Sequence, residues 1–320
     1  MPEILTIIFL PTISEEDAAK MINSVAKRFE TDYPEEFRCL YMKECSESGR
    51  NALKEKRVIT SYLAGKNNGA VILSEDEGTS VLLNGEDHVR IQVLCNGMDI
   101  QSCFKKANEI DDYIDAHFDY AFDEKYGYKT TFPTNTGTGM KAGYTLHLPS
   151  LSDARRLNDI SAELGRFGLK FRTVYGDGQN GYGNLYQIST QKTLGQDERE
   201  VIKDLDDIVL QIVNQEKEQR EHFYKKDKIQ MDDEIYKSYG VLKYARKLSL
   251  KDSMVLISEL MTGVSLGVLQ FAHNGRYNIN ELIMDIQPAV LRQNSGKAMS
   301  VAETDVLRAE YIRKYLPEII

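Results

Sequence analysis

Residues 120–149 read YAFDEKYGYKTTFPTNTGTGMKAGYTLHLP. The stretch alternates like two strands, Gly127–Phe132 and Met140–Leu148, joined by a segment of Thr, Gly, Asn and Pro. Gly137 and Gly139 let the connecting backbone take dihedrals that other residues resist and bring its amides close to a ligand. Lys141 follows directly, so a positive charge stands just past a glycine turn, which suits an anion such as a nucleotide phosphate. A plain polar turn between strands would carry the same local pattern.

Upstream, Ile4–Leu10 is apolar and ends at Pro11, as a strand or buried segment would. Ser14 with Asp17 predicts a helix start, and Ala18, Met21, Val25 and Phe29 give that helix an apolar stripe. A polar region runs to Lys66. Short strands are then expected at Ala70–Leu73, Thr79–Leu83 and His88–Leu94, with Asn84-Gly85 as a hairpin signal. Ile100, Cys103, Ala107, Ile110, Ile114 and His117 recur at helical spacing.

Downstream, the pattern predicts a helix over Leu151–Phe167 and strands at Lys170–Val174 and Asn184–Thr190. A long helix from Gln196 to about Lys226 turns Val201, Leu205, Ile208, Val209 and Ile212 inward. Its end, Glu216–Lys228, loses the stripe for mixed charge, which marks a domain boundary: residues 1–225, then 226–320. The second part is helical throughout, with capping boxes at Ser249/Asp252 and Ser300/Glu303 and Pro288 as a kink or end.

At 320 residues the chain can hold about two domains. Apolar residues at 42% and charged ones at 28% describe an ordinary globular protein, and a net charge of −9 argues against a broad basic face for nucleic acid. Cys39, Cys45, Cys95 and Cys103 lack metal-ligand spacing and are expected as reduced thiols of a cytoplasmic protein. No run is long enough for a transmembrane helix.

Two clusters carry residues fit for chemistry. In NGEDHVRIQ (Asn84–Gln92), strand alternation puts Glu86, His88 and Arg90 on one face, where a carboxylate and a guanidinium can serve a cation and a phosphate; a solvated edge strand reads the same. In KFRTVYGDGQNGYGN (Lys170–Asn184), Arg172 lies in a strand and Asp177 in a glycine-rich loop able to close on a ligand. The P-loop pattern GxxxxGK[ST] does not occur.

NGEDHVRIQ, YAFDEKYGY, FPTNTGTGMKAG, TLHLP and YGDGQNGYGNLYQISTQKTLG closely resemble, in order, successive blocks of the bacterial protein-arginine kinases, members of the ATP:guanido phosphotransferase (phosphagen kinase) family. The resemblance implies an α+β fold: an antiparallel, glutamine-synthetase-like sheet flanked by helices, then an all-α C-terminal domain. It also implies in-line transfer of the γ-phosphoryl group of ATP, with Mg2+, to a protein arginine. By motif position Glu86 and Asp177 would hold and deprotonate the guanidinium. The nucleotide would be held by Arg57, Arg90, the run Lys141, Ala142, Gly143, Tyr144 and Thr145, and the run Arg172, Thr173, Val174, Tyr175 and Gly176. Asp305 and Arg308, in Thr304–Ala309, would bind phosphoarginine as an allosteric pair; a surface ion pair fits the same spacing.

The chain departs from the family pattern in places. Lys141 stands for arginine, which keeps the charge and loses the bidentate fork. Asp177 stands for glutamate, one methylene shorter, and Phe132 for cysteine. The family's Ser-Ser-Arg-x-Arg strand would precede residue 1, so either the start lies further upstream or half of the phosphate clamp is missing. Hence the alternative reading of a degenerate pseudokinase that binds nucleotide or phosphoarginine. The resemblance further implies substrates with exposed arginine, a zinc-finger activator protein, the Clp protease system, a homodimer through the helical domain and a role in stress response.

Overall fold

The computed structural model describes residues 1–8, 14–130, 133–176, 181–195, 197–272 and 279–320. Pro11, Phe132, Asp177 and Gly275 fall outside these ranges. The described strands are β1 (Pro2–Ile8), β2 (Phe37–Tyr41), β3 (Ala70–Ser74), β4 (Thr79–Leu83) and β5 (Val89–Leu94). Then come β6 (Phe122–Asp123), β7 (Gly127–Tyr128), β8 (Met140–His147), β9 (Leu169–Thr173) and β10 (Leu185–Thr190). Eight of them form one sheet in the order β2-β3-β4-β5-β1-β8-β10-β9, antiparallel from β2 through β8.

The helices of the first half are α1 (Glu15–Asp32), α2 (Glu47–Glu55), α3 (Ser61–Ala64), α4 (Ile100–Asp115), α5 (Pro149–Asp153) and α6 (Leu157–Arg166). The second half adds α7 (Glu198–Lys226), α8 (Lys228–Tyr244), α9 (Leu250–Ser265), α10 (Ile279–Asp285), α11 (Pro288–Ser295) and α12 (Val301–Tyr315). None of the described helices is long and apolar enough to cross a membrane. The chain divides into two compact units. The first is Met1–Thr145, Leu164–Lys170 and Ile188–Val209; the second is Leu146–Glu163, Phe171–Gln187 and Leu210–Ile320.

In the first unit β3 and β4 are buried along their whole length, because helices cover both faces. Val71, Leu73 and Leu82 pack on one face against Met42, Val58, Ile59 and Leu63 of the α2–α3 region. At about 1.5–3 kcal/mol per buried large apolar side chain, this cluster pins α2–α3 to that face. Ser14 caps α1 by accepting from Asp17 N at 3.1 Å. Phe29 meets Phe37 and Tyr113 edge-on at 5.3 and 5.0 Å, tying α1 to β2 and α4.

In the second unit α8, α9, α10 and α12 build a core around Ile235, Leu242, Ile257, Leu260, Leu282 and Ile312. Ser300 and Glu303 make both halves of a capping box on α12, and Ser249 caps α9 through Asp252 N.

Several expectations need correction. Of the expected strand Gly127–Phe132, Gly127–Tyr128 forms β7, which pairs with β6, and Thr131 and Phe132 lie outside the described residues; the expected Met140–Leu148 strand is β8, ends at His147 and joins the large sheet beside β1. Ile22, not Met21, completes the α1 stripe, and helix α4 ends before His117. The polar region before Lys66 holds β2, α2 and α3. The expected Leu151–Phe167 helix breaks at Arg155, which takes φ 57°, into α5 and α6. Pro288 starts α11 rather than ending a helix. Within the mostly exposed charged end of α7, Glu216 and Arg220 are buried, at 2% and 8% exposed.

Candidate active site

The register of the central strands fixes one face of the sheet. Ile7 of β1 lies opposite Arg90 of β5, and Leu5 lies opposite both Gln92 of β5 and Lys141 of β8. Opposed residues share a face, as do residues two apart on a strand. Arg90, Gln92 and Lys141 therefore share one face across three adjacent strands. Arg90 also lies opposite Leu82, which packs under α2–α3, so this is the face those helices flank.

Lys141 is half-buried, and its Nζ donates to Asn135 Oδ1 at 2.6 Å; Asn135 Nδ2 donates in turn to the buried carboxylate of Asp87 at 3.1 Å. Burial pushes the Lys141 ammonium below its ordinary pKa, Arg90 and Lys170 push the same way, and Asp87 opposes them. Lys170 thus adds a third positive charge beside Lys141. Nε of Arg90 is buried without a hydrogen-bond partner among the described residues. Such a donor costs about 1–3 kcal/mol, which a phosphate oxygen would offset.

Glu86 and Asp87 lie in the loop 84–88 between β4 and β5, one residue longer than the expected strand bounds leave. Asn84 opens it in the left-handed region at φ 56°. Glu86, His88 and Arg90 are each partly exposed while Asp87 and Val89 are buried, so the expected alternation holds in burial. The Glu86 carboxylate accepts from Thr60 Oγ1 at 2.9 Å, and the same hydroxyl accepts from Leu63 N at 3.1 Å to cap α3. Arg57 sits at φ 64°, and its carbonyl accepts from Gln92 Nε2 at 2.6 Å, so its strained backbone is held against the Arg90 face.

Not all of the expected nucleotide contacts face that way. Along β8, Lys141, Gly143 and Thr145 alternate with Ala142 and Tyr144, which are buried on the opposite side. Tyr144 is spent on structure, donating to Asp206 at 2.6 Å. Gly143 is required by packing, since a Cβ would stand 2.8 Å from Ile188 O.

In the second unit Arg172 Nε donates to Gln187 Oε1 at 2.7 Å. Thr173 closes β9, while Val174 and Tyr175 pack on the helical core and Gly176 takes φ 85°. Asp177 lies outside the described residues. Arg308 is 1% exposed, with Nε on Ile286 O at 3.0 Å and Nη1 on Leu248 O at 2.9 Å and Asp305 Oδ1 at 2.5 Å. Asp305 and Arg308 are thus no surface ion pair. They form an internal strut of the helical unit, with little Arg308 surface for an anion to meet.

Sequence reasoning passed over Asn135, Lys170 and Thr60. The signal for Asn135 was present, since it stands six residues before Lys141 in the same glycine turn. Among the described residues no three His, Cys, Asp or Glu side chains converge to ligate a metal. A magnesium ion arriving on a nucleotide fits this set, because it usually keeps its phosphates and waters as ligands.

Residues 18–219 match the family described as ATP:guanido phosphotransferase, C-terminal catalytic domain, and residues 228–319 match the protein-arginine kinase McsB C-terminal domain. The chain is similar to protein-arginine kinases of Bacillus mycoides (38% identical over 309 residues, 95% of this chain and 87% of that protein) and Geobacillus sp. (39% over 314 residues, 96% and 85%). A Bacillus subtilis protein-arginine kinase is 38% identical over 306 residues, 95% of this chain and 84% of that protein. In fold the chain resembles a solved lombricine kinase, with a TM-score of 0.58 at 17% identity over 67% of this chain and 65% of that one. The duplicated taurocyamine kinase of Schistosoma mansoni, solved with transition state analog components, gives 0.59 at 18% identity over 67% and 32%.

Proposed function

This chain belongs to the ATP:guanido phosphotransferase family, in its bacterial protein-arginine kinase branch, and from that premise we propose that it transfers the γ-phosphoryl group of ATP to arginine side chains of proteins. The observation that carries the reading is the common face of Arg90 and Lys141, with a buried Arg90 donor left without a partner among the described residues. A triphosphate carries negative charge that such a pair of cations stabilises, more so as the charge spreads in the transition state. Arg90 and Lys141 hold phosphate oxygens, with Arg57 at the nucleotide, and Arg172 is assigned a phosphate contact by its motif position alone. Magnesium supplies charge neutralisation on the triphosphate when bound.

The acceptor nitrogen belongs to a guanidinium, which is protonated and poorly nucleophilic. Glu86 orients it and accepts its proton, and the Thr60 hydroxyl steadies that carboxylate. Asp177 is assigned the second carboxylate position. We assign the catalytic part to residues 1–225 and the helical part to 226–320. On the same premise the protein acts in the cytoplasm on segments with exposed arginine, with a zinc-finger activator and the Clp protease system as partners.

The test is incubation with ATP and an arginine-rich protein, followed by mass spectrometry for acid-labile phosphoarginine. Wild-type protein should form it and Glu86→Gln should not. No phosphoarginine from the folded wild-type protein would remove the kinase reading in favour of a binding protein.

A further inference from the structure

Asn135 stands between a buried carboxylate and a half-buried ammonium. Its Nδ2 donates to Asp87 Oδ2 at 3.1 Å, and its Oδ1 accepts from Lys141 Nζ at 2.6 Å. The chemistry fixes the amide's orientation, because a flipped amide would set its carbonyl against the carboxylate and its NH2 against the ammonium. The residue is 7% exposed.

The turn that carries it is clamped. Thr193 Oγ1 donates to Thr136 O at 2.6 Å and Thr134 O at 3.2 Å, and Thr138 N donates to Thr193 O at 2.9 Å. A Cβ on Gly137 would stand 2.1 Å from Thr193 O, so only glycine lets the clamp close. Asn135 is therefore presented from a fixed backbone.

We propose that Asn135 is a positioning residue: a neutral spacer that aims the Lys141 ammonium into the site while keeping it out of a direct ion pair with Asp87. The proposal deepens the kinase reading and rests on it. Lysine ends a flexible four-carbon stem and has no planar fork to fix its direction. Asn135 takes one of its three N–H donors and sets that direction, and two donors remain for phosphate oxygens. A carboxylate in direct contact would have cancelled the charge the phosphate needs. Through the amide, Asp87 steadies Lys141 at one remove.

Among the described residues, the charged groups facing Lys141 are Arg90 from β5, Asp87 from the β4–β5 loop and Lys170 from β9. With two cations against one anion, the hydrogen bond to Asn135 Oδ1 becomes a support of the charged form. Removing that acceptor should make the ammonium easier to deprotonate. Replacing it with a carboxylate should do the opposite.

The test uses the full chain with lysine labelled at its ammonium nitrogen, and follows the Lys141 titration by NMR, assigned by its loss in Lys141→Arg. Asn135→Ala should move that titration to lower pH and Asn135→Asp to higher pH. The alkaline limb of kcat/KM for ATP should split the same way, with Asn135→Ala about 10- to 100-fold below wild type near neutral pH. A residue that merely fills space would cost stability without splitting the two variants. Equal Lys141 titrations in all three proteins, or shifts of one sign, overturn the proposal. If Asn135→Ala does not fold, Asn135→Ser takes its place with the same expected direction. A split titration in a protein that forms no phosphoarginine would keep the role of Asn135 and remove the kinase reading.

Discussion

Glu216 offers the sharpest stability prediction. Its carboxylate is 2% exposed, accepts from Ser150 N at 3.0 Å and Leu151 N at 2.9 Å, and pairs with Arg220 Nη2 at 2.9 Å. Glu216→Ala leaves the guanidinium buried without its partner and strips two amides at the start of α5. Breaking a buried pair from one side costs about 3–5 kcal/mol, against a total stability of about 5–15 kcal/mol for a typical domain. Replacing both partners by Leu should cost less than the sum of the single changes, since neither charge is then stranded. With no tryptophan in the chain, urea unfolding is best followed by far-UV circular dichroism. The midpoint should fall at unchanged slope, and amide exchange at Ser150 and Leu151 should accelerate. A cost below about 1 kcal/mol, as for an exposed pair, would refute this account of the charged end of α7.

Two further predictions follow. His147, hydrogen-bonded to Ser258 Oγ at 2.8 Å, is held neutral by burial first and by Arg220 second, which push its pKa from 6.5 down to about 3. A depressed folded-state pKa means stability present above pH 6.5 and lost as pH falls toward 3, up to about 2 kcal/mol by about pH 5. His147→Gln should flatten that slope in urea midpoints measured across the window. Gly137→Ala forces a Cβ to within 2.1 Å of Thr193 O at φ 118° and should cost about 1–3 kcal/mol from backbone strain alone, read as a lower thermal midpoint together with lost ATP turnover.

Much of the fold was legible in the sequence because local signals and burial agree. Ala70–Leu73 and Val81–Leu83 are apolar runs, and the strands that hold them, β3 and β4, turn out buried along their whole length. Ser14 and Ser300 start helices where the capping residues say they should. Strand order was not legible, because it depends on distant partners. Met140–His147 finds its partner in β1, more than a hundred residues upstream, and no local signal names that partner. Phe37–Tyr41 is short, only partly buried and set among charged residues, so its role as an edge strand is fixed by its pairing with β3. The burial of Glu216 and Arg220 was not legible, because charged residues are exposed by default and it takes the amides of α5 and the pair's own contact to make burial tolerable. At the site, Glu86, Arg90 and Lys141 were legible as motifs. The support from Thr60 was not, because a hydrogen bond between elements leaves no periodic trace, and the only trace of Asn135 was its place in the glycine turn before Lys141.

The central claim is that one sheet face binds the triphosphate through Arg90 and Lys141 together. Its most direct test is kcat/KM for ATP in Arg90→Met, Lys141→Met and the double variant, each checked for an intact circular dichroism spectrum. Each single change should cost about 100-fold or more, and the double variant should lose far less than the product, as residues that act as a unit do. Near wild-type kcat/KM in either folded single variant would contradict the account.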